Sequence, residues 1–250
     1  MSYFTHKSLV QTNTPKRFFS KAFTLVEMAI VLVIIGIGLG GLLLTLTAQI
    51  DLRNYAATRQ AMEEIKEALI GYSLSHGYLP CPAKSSTDGT ENRNVSGACN
   101  ARVGFIPWQE LGVPRDDSWN HLYRYSVTMA YSNSVTMVSL APLTSRDITI
   151  QTRNDAGSLV NISNANDIPA AIISHGKNGF GATTVDSVLI ADTSTNNSDE
   201  DTNHTGVGTL FISREFSDVK NTTYSEYDDI VVWISPNIYL ANLVSVGKLP

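Results

Sequence analysis

The sequence predicts an α+β protein in which one long N-terminal helix packs on an antiparallel β-sheet and a short helix follows near the C-terminus. Three patterns predict this class. An uncharged apolar run over residues 28–50 continues, with neither proline nor glycine over residues 42–70, into a stripe at helical spacing. Beyond residue 77, short apolar runs alternate with turns rich in Asn, Gly, Asp and Ser. Helices and strands segregated along a chain are typical of α+β folds.

The first element is the apolar run of residues 23–50, in which Glu27 is the only charge. About 20 apolar residues suffice to cross a bilayer, so this range is predicted to be the transmembrane half of the helix. A cleaved secretory signal is disfavoured because its best cleavage site, Leu46-Thr47-Ala48, has leucine where a small residue is needed. A carboxylate inside a membrane span is costly, so Glu27 is a candidate functional residue with a partner.

Charge predicts the orientation of this helix. Residues 1–22 carry four basic side chains and no acidic one, and the net charge of the whole chain is −5, so residues 23–250 carry −9. A basic segment before an apolar span stays in the cytoplasm. We therefore expect a single-pass protein of the bacterial inner membrane, with residues 1–22 as a basic cytoplasmic leader and the C-terminal domain in the periplasm.

The second half of the helix is predicted over residues 51–76, with its end between Gly71 and Gly77. Arg59 and Glu63 are spaced for an i,i+4 ion pair on its surface. The stripe that should face the core has members three or four residues apart, namely Tyr55, Thr58, Met62, Ile65, Leu69 and Tyr72.

Residues 77–250 are predicted to form a β-rich globular domain in the periplasm or outside the cell. A serine cap, Pro236 in the first turn and Gly247 just beyond the end outline a C-terminal helix that docks through apolar residues Ile238, Leu240, Ala241, Leu243 and Val244. Strands are predicted at Leu122–Ala130, Val135–Leu140, Asp147–Thr152, Ile168–Ser174, Ser187–Ile190, Thr209–Ser213 and Asp229–Ser235.

The two cysteines, Cys81 and Cys99, both lie in the exported part. An oxidising compartment favours a disulfide between them. The disulfide would close a polar loop, and the chain-entropy model gives about 3 kcal/mol of stabilisation for a loop of this size. Two free thiols or part of a metal site are the alternatives. The sequence has neither a Cys-x-x-Cys pair nor a nearby pair of histidines to favour a metal.

An acidic segment places oxygen side chains at alternating positions Asp199, Asp201 and Asn203, as in the first half of an EF-hand loop. Where that loop needs glycine and glutamate the chain has His204 and Leu210, so it is not an EF-hand. A solvated acidic loop is the alternative to a calcium site.

Several functions are disfavoured by composition and spacing. The acidic exported part lacks the basic clusters that bind nucleic acid. The segment around Lys177 fails the phosphate-loop pattern, because Ala171 stands at the glycine position and Asn178 at the serine or threonine position. The sequence has no Gly-x-Ser-x-Gly elbow and no paired-histidine metal spacing. No catalytic residue is therefore predicted.

The segment Lys21-Ala-Phe-Thr-Leu-Val-Glu27, followed by the apolar run, resembles the class III signal of type IV pilins and type II secretion pseudopilins. The resemblance implies that a prepilin peptidase cuts between Ala22 and Phe23 and that the new amino terminus of Phe23 is methylated. It implies that Glu27 guides assembly. The family usually has glycine before the cut, so alanine at position 22 is expected to slow processing.

Three downstream segments extend the resemblance to the pilin fold, in which a membrane-anchored helix is the spine of a soluble domain. Pro114–Tyr125 resembles the Asp-x-Trp-Gly-x-x-Tyr-x-Tyr segment of major pseudopilins, Ser174–Gly179 resembles their Ser-x-Gly-x-Asp-Gly turn, and Asp228–Trp233 resembles the start of a late strand. Major pseudopilins bind calcium in a loop after that turn, which is roughly where Asp199 lies.

The resemblance implies a structural subunit, in a pilus or a secretion pseudopilus, that requires no cofactor. Its expected partners are the prepilin peptidase, other subunits contacted through the N-terminal helix, the inner-membrane assembly platform and membrane lipid. The alternative is an uncleaved, signal-anchored periplasmic binding protein or enzyme, in which Glu27 only reaches to the nearby membrane interface.

Overall fold

The computed structural model describes residues 24–138, 146–164, 166–219 and 225–249, without the side chains of residues 39–46. The predicted leader, residues 1–22, lies outside the described residues, and so does Phe23. The chain divides into two compact units, Met1–Ala48 and Gln49–Pro250. Residues 49–76 of the long helix therefore belong to the globular unit.

Helix α1 spans Leu25–His76. It ends where Gly77 adopts φ +86°, a left-handed conformation that favours glycine, and the Gly77 N–H donates to the Ser73 carbonyl at 2.7 Å. The central residues of the predicted core-facing stripe are buried, as expected; they are Thr58, Met62, Ile65 and Leu69. The outer members, Tyr55 and Tyr72, are half-buried. The predicted Arg59–Glu63 pair is wrong, because Glu63 pairs with Lys66 instead.

The main sheet has four antiparallel strands in the order β1-β2-β5-β7. The strands are β1 Val103–Phe105, β2 Arg124–Val127, β5 Ala170–Ser174 and β7 Ile230–Trp233. The short helix α2, Trp108–Leu111, follows β1. The predicted α+β class with an antiparallel sheet is confirmed.

A second sheet of three strands has the order β4-β3-β6, and β3 and β6 run parallel. The strands are β3 Thr149–Arg153, β4 Leu159–Asn161 and β6 Leu210–Ile212. Helix α3, Ser198–Thr205, directly precedes β6. A split into two sheets was not predicted, because pairing between distant strands leaves no local mark in the sequence.

The main sheet is buried on both faces. One face packs on α1, with Tyr125 and Ile172 in the same cluster as Ile65. The opposite face packs on the second sheet, with Ile173 in one cluster with Ile150 and Phe211. Burial on both faces explains why β5 is a continuous apolar run and not an alternating one.

Two predicted strands are wrong. Residues 134–136 form a turn in which the Asn133 side chain accepts the Val135 N–H at 2.8 Å, an arrangement that competes with strand pairing. Residues 139–140 of that strand lie outside the described residues. In the other, residues 187–190, Leu189 forms only an isolated bridge to Thr183. Strands β1 and β4 were not predicted.

Helix α4 spans Pro236–Ser245 with Ser235 as its N-cap, and Gly247 has φ +70°, so the predicted signals are confirmed. Its docking residues differ in part from the prediction. Tyr239 and Leu243 are buried, whereas Ile238 and Val244 are 60% and 51% exposed. The Tyr239 hydroxyl lies 2.6 Å from the hydroxyl of Ser73 on α1, which joins the two helices.

Candidate functional site

Glu27 lies in the first turn of α1 and is exposed. Its N–H donates to the Thr24 hydroxyl at 3.2 Å, and its carboxylate lies 3.5 Å from the Thr24 N–H, at the limit of a hydrogen bond. This reciprocal arrangement is a capping box, which satisfies two N–H groups that the start of a helix leaves free. The pattern Thr24-x-x-Glu27 was readable in the sequence, and our sequence analysis missed it.

The segment after Glu27 exposes its apolar side chains. Leu25 is 88% exposed and Ile37 is 74% exposed, and large apolar side chains between them are exposed on every face of the helix. Continuous apolar surface of this kind marks contact with protein or membrane. Among the described residues, no helix combines the length and the apolarity that crossing a membrane requires.

The predicted disulfide between Cys81 and Cys99 is present. Its loop contains an ion pair between Arg93 and Glu91 at 2.7 Å, and the Cys81 N–H donates to the Glu91 carboxylate at 3.1 Å. Arg93 also donates to the Gly97 carbonyl within the loop at 2.7 Å. The covalent bond and this half-buried arginine together help to order a segment with few apolar side chains.

The three predicted calcium ligands do not converge. They lie on helix α3, where residues two apart point to different sides. Asp199 is buried and accepts from Arg153 and Arg214, at 2.6 Å and 2.7 Å respectively. Asn203 is buried and bonded to the backbone of Ile212. The acidic segment is therefore a helix and not a loop, and calcium binding at these residues stays a prediction.

Asp201, the third predicted ligand, is half-exposed beside Asp192 and His204. The two carboxyl groups share a hydrogen bond, so burial and the neighbouring carboxylate raise the pKa of Asp201. These two carboxyls and the imidazole have ligand atoms within 4.8 Å of one another. Asp199 and Asn203 are not members of this group.

A second acidic cluster was missed in the sequence. Carboxylate oxygens of Glu200, Asp228 and Asp229 come within 4.8 Å of one another. The Asp228 N–H donates to Glu200 at 2.7 Å, and the Asn178 N–H donates to Asp228 Oδ2 at 2.8 Å. Asn178 and Asp228 belong to two separate segments that each resemble a pseudopilin motif. The sequence shows both segments, but it does not show that they meet.

Burial and mutual repulsion perturb this cluster. Burial, together with the charges of Asp229 and Asp228, raises the pKa of Glu200 to about 8. Burial raises the pKa of Asp228 to about 6, against the opposing hydrogen bond from Asn178. His175 is buried with its Nδ1 3.4 Å from an Asp229 oxygen and forms no hydrogen bond with the described residues through that atom. Simultaneous ionisation of all three carboxyl groups is therefore disfavoured in this cluster.

The Ser174 hydroxyl donates to Asp117 at 2.5 Å, and Asp117 accepts the N–H groups of Trp119 and His121. His121 Nδ1 lies 3.0 Å from the Gly176 carbonyl. A hydrolase would need the serine bonded to the histidine and the histidine to the carboxylate. Here the Ser174 hydroxyl is hydrogen-bonded directly to the Asp117 carboxylate. These hydrogen bonds join the Asp-x-Trp segment to the Ser174–Gly179 turn.

Comparison with known proteins identifies the N-terminal signal. Residues 17–43 match the model of the prokaryotic N-terminal methylation motif. Neither the curated proteins nor the solved structures gave a match.

The chain therefore carries a prepilin-type signal of the type IV pilin and pseudopilin kind, and the predicted resemblance is confirmed there. The motif implies processing by a prepilin peptidase and assembly with other pilin-type subunits. The matched range includes Ala22, Phe23 and Glu27, the residues predicted for processing and assembly.

Proposed function

We propose that this protein is a structural subunit of a type IV pilus or a type II secretion pseudopilus. A prepilin peptidase cuts before Phe23, the new amino terminus is methylated, and the subunit assembles through its N-terminal helix. The observation that carries the proposal is the methylation motif over residues 17–43. The long helix, the antiparallel sheet and the disulfide in the exported part are consistent with it.

The apolar segment before residue 51 holds the unassembled subunit in the inner membrane in this proposal. The basic residues before Phe23 keep the N-terminus cytoplasmic, and the acidic remainder is exported. The exposure of Leu25 and Ile37 supports it, because such a surface needs lipid or neighbouring helices to cover it. The assembly platform of the inner membrane is the machine that would transfer the helix from lipid into a filament.

Glu27 would bind the amino terminus of Phe23 on a neighbouring subunit. Opposite charges removed from water cost less together than apart, so the pair favours assembly in register. To make it, the Glu27 carboxylate must exchange its weak contact with the Thr24 N–H for the neighbour's amine. The helix start keeps its other cap bond, from the Glu27 N–H to the Thr24 hydroxyl.

N-terminal mass analysis of the protein purified from membranes tests processing. We expect the mature chain to begin at methylated Phe23, with slow conversion because Ala22 precedes the cut. An Ala22→Gly variant should convert faster. An intact leader on the whole population would instead support an uncleaved, signal-anchored periplasmic protein.

Replacement of Glu27 tests assembly. We expect Glu27→Ala and Glu27→Val to be inserted and cut like wild type but to be missing from sheared filaments, because no carboxylate meets the neighbour's amine. The matched control is Glu67→Ala, which removes an exposed glutamate from the globular part of the same helix. Normal incorporation of the Glu27 variants would refute the assembly role.

Whether the filament is a pilus or a pseudopilus is decided by its partners. Deletion of the encoding gene should abolish either surface filaments or the export of folded proteins, and complementation with the wild-type chain should restore the same property. Loss of neither would contradict both assignments.

A further inference from the structure

A pocket of about 330 Å³ opens on the surface of the globular unit. Five segments meet there: the start of the globular part of α1, the Asp-x-Trp segment, the Ser174–Gly179 turn, residues 215–216 after β6 and Asp228 before β7. We call it the acidic pocket and define it by its lining residues, Asp51, Leu52, Tyr55, Trp119, Lys177, Glu215, Phe216 and Asp228.

The walls of the acidic pocket are apolar and aromatic. Leu52 is 71% exposed and Phe216 is 66% exposed, although both are large apolar side chains. Tyr55 and Trp119 are half-buried beside them. Three aromatic rings around one opening are the composition that binds ammonium and guanidinium groups through cation–π contacts.

The charge of the lining favours a cation. The only base in the lining, Lys177, is paired with Asp51 at 2.7 Å. Glu215 is exposed and makes no ion pair or hydrogen bond with the described part of the chain. Asp228 Oδ1 is buried and forms no hydrogen bond within that part. Among the described residues, neither the exposed Glu215 carboxylate nor the buried Asp228 carboxylate has a basic partner.

The opposite side of the same helix carries the complementary group. Arg53 is exposed, and within the described ranges it forms neither an ion pair nor a hydrogen bond. It is two residues from Asp51 and from Tyr55, which places it about 200° around the helix from either one. The acidic pocket and the Arg53 guanidinium therefore lie on opposite sides of the same stretch of α1.

We propose that the acidic pocket binds the Arg53 side chain of a second copy of this chain. The guanidinium would pair with the exposed Glu215 carboxylate, and its methylene stem would pack on Leu52, Tyr55 and Phe216. A contact between two different patches of identical subunits is head-to-tail and can continue into a filament. The inference rests on the proposed function and adds a subunit contact in the globular domain.

A metal ion fits the acidic pocket less well. Calcium requires six to eight oxygen ligands, whereas half of this lining is apolar or aromatic. A guanidinium on a methylene stem uses both kinds of surface, and Arg53 is supplied by the assembling chain itself.

Cysteine cross-linking of the full-length chain in membranes tests the contact. We expect Arg53→Cys with Phe216→Cys, on the native Cys81–Cys99 background, to give a ladder of dimers, trimers and larger species under oxidation. The control replaces Arg53→Cys by Arg59→Cys, an exposed arginine about 120° away around the same helix. A ladder of equal intensity from the control, or monomer alone from the test pair, would overturn the proposal.

Charge reversal gives a second readout. We expect Glu215→Arg to lower the assembled fraction about tenfold and Arg53→Glu in the same chain to restore most of it, because the pair is re-formed with opposite signs. The melting temperature should hardly change, since both side chains are on the surface. A double variant no better than Glu215→Arg would contradict the proposal.

The two proposals fail differently. Wild-type protein that carries methylated Phe23 and assembles, but is indifferent to both reversals, retains the proposed function and removes this contact. Wild-type protein that is never processed or assembled removes the proposed function itself.

Discussion

Individual polar residues of this protein are chiefly used to hold segments together. Asp199 joins Arg153 and Arg214, Asn203 fixes the backbone of β6, and Asp117 joins a loop to the Ser174 hydroxyl. Each is buried. A buried polar group costs free energy unless it is hydrogen-bonded, so these networks determine where the side chains of the acidic segment point.

Replacement of Asp199 tests this reading. Burial alone would raise its pKa, but hydrogen bonds and charge from Arg153 and Arg214 hold the pKa of Asp199 below its usual value. We expect Asp199→Asn to lower the free energy of unfolding by roughly 3 kcal/mol at neutral pH in urea titrations, because two arginines lose their carboxylate. The contribution should disappear as the pH falls through the lowered pKa of the folded state.

Asp201→Asn is the matched control, on the same helix but half-exposed and beside another carboxyl group. The Asp201→Asn variant should lose no stability.

Purified wild type and Asp201→Asn also test calcium binding. A melting temperature raised by millimolar calcium in wild type, but not in Asp201→Asn, would support the predicted site. No rise in wild type would remove that prediction.

At the scale of elements, the helices follow local signals and the Cys81–Cys99 loop depends on its covalent bond. Proline and serine begin α4 and glycine ends α1, each through its own backbone conformation. The loop contains only isolated bridges, Ala83 to Glu91 and Arg93 to Cys99. Backbone hydrogen bonds within the loop, such as those from the Lys84 N–H to the Thr90 carbonyl and from the Asn94 N–H to the Ala98 carbonyl, act together with the cross-link and Arg93 to order it.

Removal of both cysteines measures that dependence. We expect Cys81→Ala with Cys99→Ala to lower the free energy of unfolding by about 3 kcal/mol, as the chain-entropy model gives for a loop of this size. Urea denaturation of the double variant and of reduced wild type should agree. A loss below about 0.5 kcal/mol in both would show that Arg93 orders the loop without the bond.

At the scale of the whole molecule, folding brings carboxylates from distant segments together. Glu200 lies in the first turn of helix α3, whereas Asp228 and Asp229 directly precede the last strand, β7. Because the pKa of Glu200 is raised to about 8 in the folded state, folding takes up a proton there. Stability from this group is therefore complete at low pH and is lost as the pH rises through the raised pKa.

Glu200→Gln checks that sign. We expect the wild-type melting temperature to fall between pH 5 and pH 8 and the variant to fall less, so that the variant is the more stable protein at pH 8. Asp228, with its pKa raised to about 6, contributes in the same direction and remains in the variant. Glu64→Gln, on an exposed position of α1, is the control; equal pH slopes for wild type and Glu200→Gln would disprove the account.

The sequence by itself determined the signal around Phe23 and Glu27, the extent of α1, the caps of α4 and the pairing of two lone cysteines. The signal, the helix and the caps depend on residues close together in the sequence, and the disulfide pairing follows because the chain has only two cysteines. Only the tertiary structure decided the second sheet, the helical form of the Asp199 segment and the meeting of Asp51, Glu215 and Asp228 in the acidic pocket. Those features depend on which distant segments pack together, and long-range pairing follows from burial of the whole core, which no local pattern encodes.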